Sequence, residues 1–340
     1  MSWLDKRRKA WLAGGLAALL VFGGTGLSLS PAAAPGAQTR MFSVSSGSGV
    51  RQVAASLQEQ GFIRNAMAFR LLAKLTGSES RIKAGLYALT PAMSPREILR
   101  WMVQGKAEQK RLTFPEGYAV RQMAHVLEEQ GIGSADRFIE LAAEPRRFED
   151  RFPWLADLPA GASLEGFLFP DTYEYGGTQI PEEALIALML SRFEKVALAT
   201  YTKDPNPPLD LFRTITLASI VELEAQSPPE RPLIAGVFYN RLRLRMPLGS
   251  DPTVEYALGW KQGSKGLSFK DVKVDSPYNT YRNAGLPPGP IANPGLASLK
   301  ATLKPEATSL LYFVAKGDGT HEFTRSYAEH LAAQRRIRQR

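Results

Sequence analysis

A twelve-residue pattern that returns seventy residues later constrains this chain more than any other feature. Val50-Arg51-Gln52-Val53-Ala54, Leu57 and Glu59-Gln60-Gly61 return as Val120-Arg121-Gln122-Met123-Ala124, Leu127 and Glu129-Gln130-Gly131. Eight of twelve aligned positions are identical. Val50, Val53, Ala54 and Leu57 fall at helical spacing, so each copy reads as an amphipathic helix. Gly61 and Gly131 are natural helix stops, because glycine takes the left-handed backbone at no steric cost. Each copy has a strand-like lead, Met41 to Val44 and Arg111 to Phe114. Between them Lys83 to Thr90 reads as a strand. Ser94, Pro95 and Glu97 then open a helix that runs to Gln104 and stops at Gly105.

Ahead of the repeat lies a different kind of segment. Lys6, Arg7, Arg8 and Lys9 form a basic cluster, and no charge follows from Ala10 to Thr39. Trp11 to Leu29 is long and apolar enough to cross a hydrocarbon core as a helix. Positive charge before it predicts a cytoplasmic N-terminus and an extracytoplasmic remainder, a single-pass protein of the inner membrane. The alternative is a cleaved signal peptide. Pro35, directly after Ala32-Ala33-Ala34, argues against cleavage there, and the run exceeds a usual signal core. Ser30 to Gln38 reads as a linker.

The chemistry-bearing residues gather in the second half. Leu164 to Tyr173 (LEGFLFPDTY) packs Glu165, Asp171 and three aromatic rings around Gly and Pro. Leu211 to Ala225 (LFRTITLASIVELEA) reads as a buried helix carrying Glu222 and Glu224 near its C-terminal end. Burial and the negative end of the helix dipole both disfavour a carboxylate there, which raises its pKa towards what a general acid needs. Glu222 shares a stripe with Ile215, Ala218 and Ser219, and Glu224 with Leu217, Ile220 and Val221. Both stripes are apolar, so periodicity does not choose between them. The competing possibility is that one glutamate faces solvent and the other pairs with Arg231 or Arg241.

A second helix spans Glu230 to Arg245 and contains Asn240. Ser250 or Asp251 reads as the N-cap of another. Ser276 to Tyr281 (SPYNTY) and Gly285 to Gly295 (GLPPGPIANPG) exclude helix and central strand. They predict a stiff loop, either a groove wall or a cover over the core. Leu310 to Ala315 reads as a buried strand, Gly317-Asp318-Gly319 as a turn, His321 to Thr324 as the returning strand, and Tyr327 onward as a terminal helix.

No HExxH, GxSxG, SxxK, Walker or GxGxxG signature is present. There is no cysteine, which removes thiol nucleophiles, disulfides and cysteine–zinc sites. His125, His321 and His330 have no metal-ligand spacing. His125 reads as structural or exposed and His321 as a surface residue. No metal and no cofactor is expected.

Strand, two helices and strand in the first unit resemble a LysM-like module. The N-terminal span, this unit, LEGFLFPDTY, LASIVELEA, the ER…VFYNRL run, SDPTVEYALG, SPYNTY, GLPPGPIANPG and LYFVAKGDGTHEF together resemble the endolytic murein transglycosylase (YceG-like) family. They occur in family order over roughly residues 41 to 330. The resemblance implies lytic cleavage of peptidoglycan glycan strands by one glutamate. That glutamate lies in the family's ASIVE segment and matches Glu222, with Glu224 secondary. It further implies that Glu165, Asn240, Asp251, Tyr278, Asn279, Thr280 and Tyr281 line the substrate groove. Implied partners are glycan strands, inner-membrane lipid and the peptidoglycan synthases, with action on nascent strands.

The fold expectation is therefore α+β. A cytoplasmic basic N-terminus (1–9) and a transmembrane helix (10–29) precede a linker (30–40) and a LysM-like subdomain (41–108). A second strand–helix unit (109–160) follows, then a mixed α/β catalytic domain (161–340) with a buried glutamate-bearing helix. Two other functions fit the residues, a non-catalytic peptidoglycan-binding scaffold and a water-using muramidase. The formal charge of +9 first hints at nucleic acid. Yet most of it sits at the two chain ends, and Ala10 to Gln334 carries only +2. Nucleic acid is therefore not an expected partner.

Overall fold

A computed structural model describes residues 29–34, 37–44, 47–104, 110–175, 180–259 and 267–339. The expected transmembrane helix and basic N-terminus lie outside them, apart from Leu29. Among the described residues no helix is long and apolar enough to cross a membrane. The chain divides into two compact units, Met1–Leu112 with Tyr173–Pro181, and Thr113–Thr172 with Glu182–Arg340. The two copies of the repeat thus belong to different units.

The first unit runs β1 (Arg40–Val44), α1 (Val50–Glu59), α2 (Ala66–Leu75), β2 (Gly85–Leu89), α3 (Pro95–Gln104) and β3 (Lys110–Thr113), and takes in β4 (Thr172–Tyr175). The sheet order is β1-β2-β4-β3. β1 and β2 are antiparallel with Phe42 opposite Tyr87. β2 and β4 are parallel. Alternation in β1 sends Phe42 and Val44 into a core shared with Val53, Ala54 and Leu57 of α1 and Phe69, Leu72 and Ala73 of α2. Tyr87, Leu89, Ile98, Leu99 and Met102 complete it. The backbone N–H and hydroxyl of Ser94 both donate to Glu97 Oε2 at 2.8 Å, closing the expected start of α3. The linker is not free. Ala33 N–H donates to Pro91 O and Thr90 Oγ1 donates to Ala37 O, which ties it to the turn after β2.

The second unit is mainly helical: α4 (Val120–Glu129), α5 (Ala135–Ala142), α6 (Glu182–Phe193), α7 (Leu211–Glu224), α8 (Arg231–Arg243), α9 (Asp251–Ala257), α10 (Leu296–Leu303), a hairpin of β5 (Tyr312–Ala315) and β6 (His321–Thr324), and α11 (Tyr327–Arg338). α7 packs against α8 and α10. Its stretch Thr214 to Val221 is entirely buried, as the apolar run predicts. The polar members of that stretch bond internally. Thr216 donates to Phe212 O, and Ser219 donates to Thr216 O while accepting from the Ile291 N–H.

The proline-rich loop takes the second of its two expected roles. Ile291, Ala292 and Asn293 are fully buried. Asn293 accepts from Leu168 N–H and donates to Tyr118 O and Glu165 Oε1. This part of the loop covers the core. β5 differs from its expectation by being half-buried: Phe313 lies edge-on to Phe238 at 5.7 Å on one face, while Tyr312 on the other meets the cavity.

Candidate active site

α7 ends at Glu224, so its two glutamates sit in the last turn, where carbonyl ends gather negative potential. They point to different surroundings. Glu222 accepts from Arg231 Nη2 at 3.0 Å and from the Gly295 N–H at 2.9 Å, with only 6% of its side chain exposed. Arg231 is held in turn by Ser298 Oγ. Glu116 lies against the same cluster, its pKa raised by burial and by the Glu222 charge, with Arg231 opposing. Glu116 also packs on Gly295, so that a Cβ there would displace the Glu116 carboxyl. Both Glu222 oxygens are therefore committed to donors.

Glu224 faces a cavity of about 630 Å³ with Arg241, Gly249, Asp251, Tyr281, Tyr312, His321, Tyr327 and His330 among its lining. Among the described residues it has a single hydrogen-bond partner, Ser250, whose Oγ donates to Oε1 at 2.6 Å. Burial pushes its pKa up to about 7, and the charges of Asp251 and Glu255 push the same way. Ser250 and Arg241 oppose the rise. Ser250 stands at the N-cap position of α9 but makes no capping bond with its side chain, because its hydroxyl serves Glu224. Arg241 forms no ion pair with Glu224. Its Nε donates to Leu311 O at 2.6 Å, and its guanidinium lies 5.1 Å from the Tyr312 ring centre.

The expected groove residues separate into two groups. Asp251 and Tyr281 line the Glu224 cavity and bond to each other, Tyr281 OH donating to Asp251 Oδ1 at 2.6 Å. Burial and that bond raise the Tyr281 pKa. The others brace the framework. Asn240 donates to Thr308 O and Leu310 O, fixing the approach to β5. Asn279, fully buried, donates to Val272 O and Val274 O. Thr280 Oγ1 accepts from the Ser250 N–H and bonds Thr253 Oγ1. Tyr278 packs its ring 4.9 Å from that of Tyr256.

Glu165 is buried and accepts from Val120 N–H, Asn293 Nδ2 and Tyr256 OH. Burial pushes its pKa up to about 8 in spite of those donors. It does not line the Glu224 cavity.

His321 corrects an expectation. It is buried, not on the surface, with Nδ1 2.8 Å from Glu230 Oε2 and its backbone N–H on Glu230 Oε1. Alternation in β6 turns it inward, against Phe313 and Phe323. His125 is exposed beside Glu129, as expected. Sequence reasoning also missed the aromatic wall of the cavity. Tyr312 lies 5.9 Å from Tyr327 and 5.5 Å from His330, ring centre to ring centre. The available signal was the aromatic content of the hairpin and of the first turn of α11. Among the described residues no group of three or more His, Asp or Glu side chains could hold a metal ion.

The model of the YceG-like family matches residues 42–336. A protein of Bacillus subtilis (strain 168) named endolytic murein transglycosylase is 33% identical over 314 residues, 90% of this chain and 86% of that one. One of the same name from Streptococcus pneumoniae is 32% identical, over 84% of this chain and 57% of its own longer one. The crystal structure of a YceG-like protein from Listeria monocytogenes superposes with a TM-score of 0.58 at 33% identity, covering 87% of this chain and 98% of that one.

Proposed function

The chain belongs to the YceG-like family, and from that premise we propose that it is a peptidoglycan lytic transglycosylase whose acid is Glu224. The observation that carries this reading is the Glu224 carboxyl at a helix end, facing a cavity of about 630 Å³ with its pKa pushed up to about 7 by burial. A carboxyl raised this far towards neutrality can hold the proton that glycosidic cleavage requires. The resemblance itself points to Glu222, but both oxygens of that side chain are taken up by Arg231 and the Gly295 N–H, whereas Glu224 faces the cavity.

Glu224 donates its proton to the oxygen between C1 of N-acetylmuramic acid and C4 of N-acetylglucosamine. The C1–O bond breaks and its electron pair stays on that oxygen. Positive charge develops at C1 and the ring oxygen. The carboxylate of Glu224 next takes the proton of the muramoyl C6 hydroxyl, and O6 bonds to C1. A 1,6-anhydro end results and no water is consumed. Ser250 keeps the carboxylate bonded while it is charged. Tyr281, Tyr312 and Tyr327 offer flat apolar faces for sugar rings beside it. Residues 10–29 would anchor the enzyme in the cytoplasmic membrane with this site outside, where nascent strands are made beside the synthases.

A hydrolytic muramidase is a second reading, because Asp251 shares the cavity and could serve as the second carboxylate of a hydrolase. Digestion of isolated peptidoglycan followed by mass analysis of the fragment ends decides between them. Anhydro ends are expected. Ends one water heavier would establish hydrolysis, and no fragments would leave only a binding scaffold.

A further inference from the structure

α2 of the first unit has two apolar faces. Phe69, Leu72 and Ala73 fill the core. On the other side Met67, Leu71 and Leu75 are exposed, at 74%, 42% and 78%. Residues four apart advance only ~40° around a helix, so these three form one continuous stripe. Arg70 and Lys74, both exposed, run along its edge, and exposed Arg64 stands just before the helix. The helix carries no acidic residue. Water on such a stripe is unfavourable, and stripes of this kind mark interaction surfaces. Large apolar side chains flanked by lysine and arginine are the composition of a helix lying in a lipid interface.

The path of the chain brings lipid to this unit. The apolar run that the sequence reads as a membrane span ends at Leu29, and Leu29 packs against the core of the same unit. The bonds from Ala33 and Ala37 to the turn after β2 hold the intervening segment down. A unit pinned this closely to the end of a span stays within reach of the headgroups.

We propose that the Met67–Leu71–Leu75 face of α2 docks onto an anionic lipid surface. The three apolar side chains enter the headgroup–acyl boundary and Arg64, Arg70 and Lys74 meet phosphate oxygens. The face then fixes how this unit stands on the membrane, a role additional to glycan cleavage. The proposal rests on the anchored reading of residues 10–29, which flotation of the full chain with vesicles tests separately.

The absence of cysteine makes the docking test direct. Leu71→Cys, and Ala55→Cys on the exposed polar face of α1, are labelled with an environment-sensitive fluorophore in the full chain and reconstituted into vesicles. In phosphatidylglycerol–phosphatidylcholine vesicles the probe at position 71 should be quenched by lipid-borne nitroxide, while the probe at 55 stays accessible to iodide. Quenching at 71 should be lost in pure phosphatidylcholine and in the Arg70→Glu, Lys74→Glu background. Equal iodide access at both positions overturns the proposal. So does a probe at 71 shielded from both quenchers, which would mean that protein covers the stripe, whether a second copy or another partner.

Discussion

Glu222 and Glu224 stand two residues apart, about 200° around the helix from each other. Their sequence neighbourhoods are equivalent, and their tertiary neighbourhoods are not. Arg231 and the Gly295 N–H meet the first, and a cavity meets the second. Neither contact is local, which is why periodicity left the choice open. The raised pKa of Glu224 gives a signed pH effect. Activity should fall about tenfold per unit as pH rises well beyond 7, because the proton donor is lost. Glu165 gives a stability effect. Its carboxyl is neutral in the folded state up to about pH 8, while the unfolded chain ionises it near pH 4.5. Ionisation therefore favours unfolding progressively between those values, by up to about 1.4 kcal/mol per unit. Glu165→Gln removes this penalty. In urea titrations its stability relative to the parent should rise from pH 5 to about pH 8 and then level off. A flat difference would mean that Glu165 is ionised in the folded protein.

At the scale of elements, most helices and strands were legible because their signals are local. The Gly61 and Gly131 stops, both in the left-handed region, and the Ser94–Glu97 box hold at the expected positions, while the Gly105 stop lies outside the described residues. The proline-rich loop was legible as a loop but not as a buried one, since its burial depends on Asn293 reaching Tyr118 and Glu165. α9 makes a sharper case. Ser250 looks like an N-cap, and replacing a capping serine by alanine usually costs about 1 kcal/mol. Here the hydroxyl serves Glu224 instead. Ser250→Ala should leave α9 formed and move the alkaline limb of the activity profile to higher pH, because a bond favouring the carboxylate is gone. A limb shifted to lower pH would contradict this. In α8, Gly236 lies against the carbonyl of Glu306, where a Cβ would come within 2.3 Å of the oxygen. Alanine would normally add ~1 kcal/mol to a helix interior. At this position the backbone clash should dominate, and Gly236→Ala should lose roughly 2 kcal/mol or more in chemical denaturation.

Over the whole molecule, the repeat correctly announced two strand–helix starts but not their separate destinations. α1 contributes Val53, Ala54 and Leu57 to the core of the first unit. α4 begins in the second unit at a backbone N–H that Glu165 accepts. Near-identical helices carry no label for the core they join, because the deciding partners lie far away in sequence. The proposed site is spread in the same way: Glu224 comes from α7, its hydroxyl partner from the start of α9, and the aromatic wall from the hairpin and α11. The most direct measurement is the yield of anhydro-ended fragments from peptidoglycan treated with Glu224→Gln and with Glu222→Gln, each checked for folding by thermal melting. Glu224→Gln should melt no lower than the parent and yield none, while Glu222→Gln should melt lower, having weakened the Arg231 pair, and still yield anhydro ends. Full product from Glu224→Gln, or its loss only in a well-folded Glu222→Gln, would contradict the assignment.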